Sequence, residues 1–290
     1  MTPSRFQLVA FGESAPPAAV SCDGLVPGAV LHLSHWAGNR TPEAYRRDTS
    51  TESALAFAAG PGDASLEVVV NNHLDADGIL SCWSLVRPEE AARHAKLIVA
   101  AAEAGDFDEW PSDDRGLWLE AAVRRLAEAA GDEARAYPAL FTELDALCGS
   151  IESRRELWED EWQRLHDALA RARAGRVSVA AAGAVAVYVH AEGEPELPGP
   201  ALHRLAPAGV TRWLLAFDRG GGAWDYKLDR PRHAWAETVV RQSVPAPSKD
   251  ALAALGDAWT SGGDELGMTG LARTRRPVRE APETIAARVP

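Results

Sequence analysis

Apolar positions in the first quarter of the chain cluster into three short β-like runs, at residues 6–11, 29–33 and 66–71. Between the second and third, Thr49-Ser50-Thr51-Glu52 has the form of a helix start, a hydroxyl cap with a glutamate three residues on. The segment 54–59 extends that helix as far as Gly60. Strand, helix, strand at this spacing predicts a parallel βαβ unit. Past Gly78 the pattern turns helical. Pro88 followed by Glu89 and Glu90 suits a first helical turn, and Gly105 suits its close. Ser112, with Asp113 and Asp114 behind it, predicts the cap of a second helix ending at Gly131. A longer stretch, 138–174, reads as helix interrupted near Gly149, with Trp158, Trp162, Leu165 and Leu169 on one face.

From residue 177 the alternation becomes strand-like again. Residues 177–190, 213–217 and 224–228 read as strands parted by Gly/Pro turns such as Glu196-Leu197-Pro198-Gly199-Pro200. A helix is expected at 248–259, and the Arg- and Pro-rich tail from Met268 is expected to be partly mobile. The fold class is therefore α/β, a parallel sheet flanked by helices, with a smaller C-terminal α+β domain. The expected division is 1–150 for the α/β domain, 151–176 for a helical connector and 177–290 for the second domain.

Composition narrows the setting more than the chemistry. The 290 residues are 46% hydrophobic and 25% charged, ordinary values for a folded protein. A net charge of −12 lacks the positive field that duplex nucleic acid requires, and small ligands fit better. Cys22, Cys82 and Cys148 are scattered and odd in number, neither a disulfide framework nor a zinc knuckle, which points to a reducing cytoplasm. No signal peptide is read at the N-terminus, and the longest apolar run, 177–189, is too short to span a bilayer. No membrane association is expected, and a homodimer is left open.

The chemistry-bearing segment is Asn71-Asn72-His73-Leu74-Asp75-Ala76-Asp77-Gly78, directly after the third apolar run. In extended chain alternate side chains share a side, so His73, Asp75 and Asp77 are expected to converge at the carboxyl end of a strand. Open α/β sheets place their ligands there. Two crowded carboxylates repel, and a divalent cation relieves that repulsion. Imidazole with carboxylates suits Mn2+, with Mg2+ next and Fe2+ the weaker candidate. The bland alternative is a helix cap followed by an Asp-Gly turn.

The run from His73 to Ser81 resembles the first motif of the DHH phosphoesterase superfamily, which includes single-strand exonucleases, cyclic-dinucleotide phosphodiesterases and manganese pyrophosphatases. Ala101-Ala102-Glu103-Ala104-Gly105-Asp106-Phe107 looks like a later motif of that family, and the resemblance implies that Asp106 is a metal ligand. It spans residues 66–130. No Asp-His-His triplet, the element that completes the family's two-metal site, occurs in the chain. The resemblance implies a metal-dependent hydrolase of a phosphoester or phosphoanhydride in a small phosphorylated or nucleotide-like substrate. His73, Asp75 and Asp77 are its expected catalytic residues, with His73 as ligand or general base. A single-metal biosynthetic enzyme and a non-catalytic nucleotide-binding module are the alternatives.

Substitutes for the missing triplet are sought after the second run, in Ser34-His35-Trp36-Ala37-Gly38-Asn39-Arg40. His35 is expected at the same sheet edge as His73, as a further metal ligand. All three asparagines of the chain, Asn39, Asn71 and Asn72, fall in these two segments. Asp48 and Glu52 flank a helix start able to hold an anion. Asn39, Arg40 and Arg115 are candidate phosphate or substrate contacts. Arg219-Gly220-Gly221-Gly222 resembles the glycine-rich loop of the DHH-associated substrate domain, with Lys227 beyond it as a further contact; a hairpin turn is the alternative.

Overall fold

A computed structural model describes residues 6–8, 14–63, 65–262 and 270–289, with backbone only at 133 and 134. The chain divides into two compact units, Met1–Trp162 with Ala236–Gln242, and Gln163–Trp235 with Ser243–Pro290. The division falls inside a helix, and a seven-residue strap returns to the first unit, where the sequence suggests a separate connector.

The first unit carries a four-stranded parallel sheet in the order β1-β4-β2-β3, from β1 (Gln7–Leu8), β2 (Ala19–Cys22), β3 (Leu31–Leu33) and β4 (Val68–Val70). The expected βαβ unit is present, with α1 (Ser50–Ala59) between β3 and β4, but β2 lies between its two strands. β2 itself has no counterpart in the sequence reading, and residues 9–11 of the first expected run lie outside the described residues. Residues 23–30 join the parallel neighbours β2 and β3 without a helix, a shorter link than the usual crossover.

Alternation along the strands separates two apolar layers. Val20, Cys22, Leu33 and Val69 face a large core with Phe57, Ile79, Trp83, Leu119 and Leu144, whereas Ala19 and Val70 join Val26 in a small one. The large core is closed by α1, α2 (Ala76–Val86), α4 (Ala95–Phe107), α5 (Arg115–Ala130) and α6 (Glu133–Ser150), with short α3 (Pro88–Arg93) after α2. Two helix boundaries differ from expectation. Gly105 does not end α4 but sits inside it, where an added Cβ would lie 3.3 Å from that of Ala76 on α2, and the helix runs on to a left-handed Asp108. Asp114, not Ser112, precedes α5, and its side chain makes no capping bond. α6 starts before Pro138 and keeps it inside, and the break expected near Gly149 comes as a 3-10 turn, Ile151–Ser153, before α7 (Arg155–Arg173).

The second unit holds a six-stranded mixed sheet, ordered β5-β6-β7-β8-β10-β9, in which only β6 and β7 run parallel. The run 177–190 is a hairpin, β5 (Val177–Ala182) and β6 (Val185–His190), turned at Gly183 with φ 62°. α8 (Gly199–Leu205) links β6 to β7 (Arg212–Asp218), and β8 (Trp224–Asp229) follows. The helix expected over 248–259 is only α9 (Lys249–Ala253), and Trp259 opens β9 (Trp259–Ser261). The tail supplies β10 (Ala272–Thr274) and α10 (Pro282–Ala286), whose Ile285 is fully buried. Residues 268 and 269 of that tail lie outside the described residues. No helix among the described residues is long and apolar enough to cross a membrane.

Candidate metal centre

The carboxyl ends of β2, β3 and β4 lie side by side, and each leads within a few residues into a titratable side chain: Asp23, His35, and the His73–Asp77 segment. Parallel strands point every carboxyl end the same way, so distant stretches deliver polar groups to one edge. Asp23 sits in the left-handed region at φ 63°, which aspartate tolerates better than most residues. Gly24 follows it so closely against the β4 turn that an added Cβ would lie 1.9 Å from the Asn72 Oδ1.

The three residues after β4 do not meet at one point. Asp75 is the N-cap of α2, its Oδ1 accepting from Gly78 N at 2.7 Å, while Oδ2 lies 3.1 Å from His73 Nε2. Asp77 is already in the first helical turn and bonds the start of α1. Its two oxygens accept the Ser50 and Thr51 amides of α1, at 2.8 and 2.7 Å. The extended-chain alternation ends at Asp75 because the helix starts at Ala76. The anion expected at the start of α1 is thus the Asp77 carboxylate, while Thr49 and Glu52 close a reciprocal capping box beside it.

Asp23 approaches both histidines. His73 Nε2 lies 2.5 Å from Asp23 Oδ2, and His35 Nε2 lies 4.0 Å from Asp23 Oδ1 and 3.0 Å from Asp106 Oδ2. His35 Nδ1 is 3.4 Å from Asp77 Oδ2. Two donor groups result. The inner one is Asp23, His35, Asp77 and Asp106, all buried, and the outer one is Asp23, His73 and Asp75. Within each group one donor atom per residue lies within 4.8 Å of the others. Ser50 Oγ and Trp36 Nε1 donate to Asp23 Oδ1 at 2.9 and 3.2 Å, and the Trp36 ring packs 5.0 Å from that of His73.

A buried polar network holds the turns together. Asn71 accepts from the amides of Gly24 and Asn72 at 3.1 and 2.7 Å and donates to the Tyr137 hydroxyl at 2.8 Å. Tyr137 in turn donates to the His73 carbonyl at 2.8 Å. The register of the Asp23 turn against the His73 turn is set by this chain of bonds.

Charge in the cluster is unbalanced. Four carboxylates face two imidazoles, and among the described residues no Lys or Arg pairs with any of the four. Burial disfavours imidazolium at His73, but Asp23 and Asp75 override it and push its pKa up to about 12. At His35 burial likewise opposes the charge, and Asp106, Asp77 and Asp23 raise the pKa to about 9. Burial, then the Asp23 charge, lifts Asp77 to about 6, and burial together with Asp75 and Asp77 lifts Asp106 well above the usual carboxylate range. Burial also acts to raise Asp23, but the two imidazoles outweigh it and hold that carboxyl low. The cluster therefore retains protons where cations would sit. Two imidazoles and four carboxylates at these separations fit divalent ions of the manganese, iron or zinc type, because such ions supply the missing positive charge.

The structure brings His35, His73, Asp75, Asp77 and Asp106 into this cluster and adds Asp23, which the sequence reading missed. Its signal was faint: Val20-Ser21-Cys22-Asp23-Gly24 is a short apolar run ending in Asp-Gly, as the β4 segment does. The expected phosphate contacts lie elsewhere. Arg40 donates to the Ala29 carbonyl at 2.9 Å and rests on His32, because the β3 edge offers it those acceptors. Arg115 pairs with Asp113 and Glu152. Asn39 braces its own loop, bonded to Trp36, Thr41 and Glu237. Arg219, Gly220, Gly221, Gly222 and Lys227 belong to the second unit. The three glycines form the β7–β8 hairpin turn, all at positive φ, with Arg219 paired to Asp225 and Lys227 to Glu196. A cleft of about 600 Å³ opens beside Asp75, between the start of α2 and α5, with Leu74, Ile79 and Val123 as apolar wall and Glu120 and Arg124 at its side.

Among known proteins, the model of a family of unknown function, DUF6687, matches residues 4–258. No curated protein and no solved structure gives a match.

Proposed function

We propose that this chain, which belongs to the DUF6687 family, is a divalent-metal-dependent hydrolase of DHH type, acting on a phosphoester or phosphoanhydride of a small molecule or short nucleotide. The observation that carries the reading is the sharing of Asp23 by two donor groups. A carboxylate common to both is what a two-cation centre needs, and Asp23, arriving from β2, would hold ions in both groups in place of the absent Asp-His-His triplet. Mn2+ is the expected ion, with Mg2+ or Fe2+ as substitutes.

Divalent ions held there supply Lewis acidity toward a phosphoryl oxygen and lower the pKa of water. The protein's own groups do the rest. Asp77 is held by α1 amides, so the inner donors are fixed before any substrate arrives. His73 and Asp75 are the half-exposed donors, with side chains 25% and 38% accessible, and they face incoming substrate. His73 Nε2, set between Asp23 and Asp75, would serve there as a metal ligand, so proton transfer would fall to water and not to that nitrogen. Among the described residues no Arg or Lys pairs with the four carboxylates, so bound ions would balance phosphoryl charge, and the cleft beside Asp75 would receive the remainder of the substrate.

The test is purification without metal, titration with Mn2+, and assay against a panel of phosphodiesters, phosphomonoesters and pyrophosphate. Two ions per chain with Mn2+-dependent turnover, abolished in Asp75→Asn, is the expected result. Failure of the parent protein to bind divalent ions, or equal turnover in parent and Asp75→Asn, would overturn the proposal. Binding without turnover of any phosphoester would leave a metal–nucleotide binding module instead.

A further inference from the structure

The strap Ala236–Gln242 makes its polar contacts with the segments behind the inner donors. The Glu237 amide donates to the His35 carbonyl at 2.7 Å, and its carboxylate accepts from Gly38 N and Asn39 Nδ2 at 3.1 and 2.9 Å. Asp48, just ahead of the α1 amides that hold Asp77, accepts the backbone N–H groups of Val239, Val240 and Arg241. Arg241 donates to Asp48 at 2.8 Å, to Glu103 at 2.6 Å and to both oxygens of Glu109 at 2.6 Å. Glu103 and Glu109 flank Asp106 in the chain, and the guanidinium lies 5.0 Å over the ring of Phe107. The entry to α1 and the end of α4 are thereby tied to the Arg241 side chain, and the His35 loop to Glu237.

The outer donors are not held this way. Among the described residues, no hydrogen bond or ion pair joins the strap to His73 or Asp75, which remain partly exposed, whereas the side chains of His35, Asp77 and Asp106 are at most 5% accessible. Carboxylates brought together around one part-buried guanidinium repel one another once it is removed, so the arrangement depends on Arg241 more than on any other strap residue.

Resting on the two-cation reading above, we propose that Arg241 is the positioning residue of the inner subsite, which holds its ion as a resident while the outer subsite exchanges its ion with solvent. Removal of groups that orient metal ligands from behind weakens binding by about 10- to 100-fold. That loss is expected at one subsite only.

The experiment loads the full chain with Mn2+, removes excess, adds EDTA, and measures by elemental analysis the Mn2+ still bound to protein separated by rapid gel filtration at successive times. Release from the parent is expected in two phases of equal amplitude, one fast and one slow. In Arg241→Gln the slow phase accelerates by about 10- to 100-fold and the fast phase keeps its rate. Glu109→Gln, a milder change to the same network, gives a smaller acceleration of the slow phase and decides the matter if Arg241→Gln does not fold. A purely structural role would lower the melting temperature without selecting one phase. Unaltered release in a folded variant, or equal acceleration of both phases, would overturn the assignment of Arg241 while leaving the metal centre standing. A parent that binds no Mn2+ would remove both.

Discussion

Replacing Asp23 with asparagine tests the shared carboxylate with little collateral damage. Asparagine tolerates the left-handed backbone at φ 63° as well as aspartate does, so the turn is not strained. Its Oδ1 can still accept from Ser50 and Trp36, so those two bonds are kept, while the Oδ2 acceptor that faces His73 Nε2 is lost. What changes is one negative charge adjacent to both donor groups. A unit charge pair at 4 Å is worth about 4 kcal/mol at an effective dielectric of about 20. Part of that is offset, because His73 and His35 lose a carboxylate that favours their protons and compete less with an incoming ion. A net weakening on the order of 3 kcal/mol per subsite, about a hundredfold in affinity, is expected. Isothermal titration of metal-free protein with Mn2+ measures it directly. Both ions are expected to weaken together in Asp23→Asn, whereas Asp75→Asn weakens only the outer one. If Asp23→Asn weakened a single ion, or bound both as tightly as the parent, the shared role of Asp23 would be refuted.

Two further outcomes follow from the same geometry. Folded His35 holds its proton up to about pH 9, against 6.5 for the free side chain, so its contribution to the metal-free protein is fully present below 6.5 and lost as pH rises through 9; thermal melts in EDTA should show stability declining across that window, and a flat profile would count against the buried imidazolium. Gly24→Ala places a methyl 1.9 Å from Asn72 Oδ1 and 2.7 Å from Asn71 Oδ1, so urea denaturation should report a loss of about 1–3 kcal/mol, and a parent-like midpoint would mean that the two asparagines can move aside freely.

The part of the centre that was legible in the sequence is the part built by one continuous segment. His73, Asp75 and Asp77 follow an apolar run and precede a glycine, and no distant residue is needed to suspect them. Even there the pattern misled: the period of two holds only while the chain is extended, and with α2 starting at Ala76, Asp77 falls in a different donor group from His73 and Asp75. His35 was legible because two β-like runs in a parallel sheet present their carboxyl ends at a common edge. Asp106 drew attention only through a family resemblance, since it lies in the last turn of a helix whose sequence explains itself by packing.

Asp23 and the strap were decided by tertiary structure. The four residues of β2 are too few and too uniformly buried for alternation to mark them, and its insertion between β3 and β4 is a matter of sheet order rather than of local preference. Arg241 meets Asp48 across a separation of 193 residues. Local sequence governs which backbone conformations a short segment favours; which charged groups come within a few ångströms across the chain depends on how all the segments close on one core, and that closure brought together four carboxylates and two imidazoles where local order alone marked three side chains.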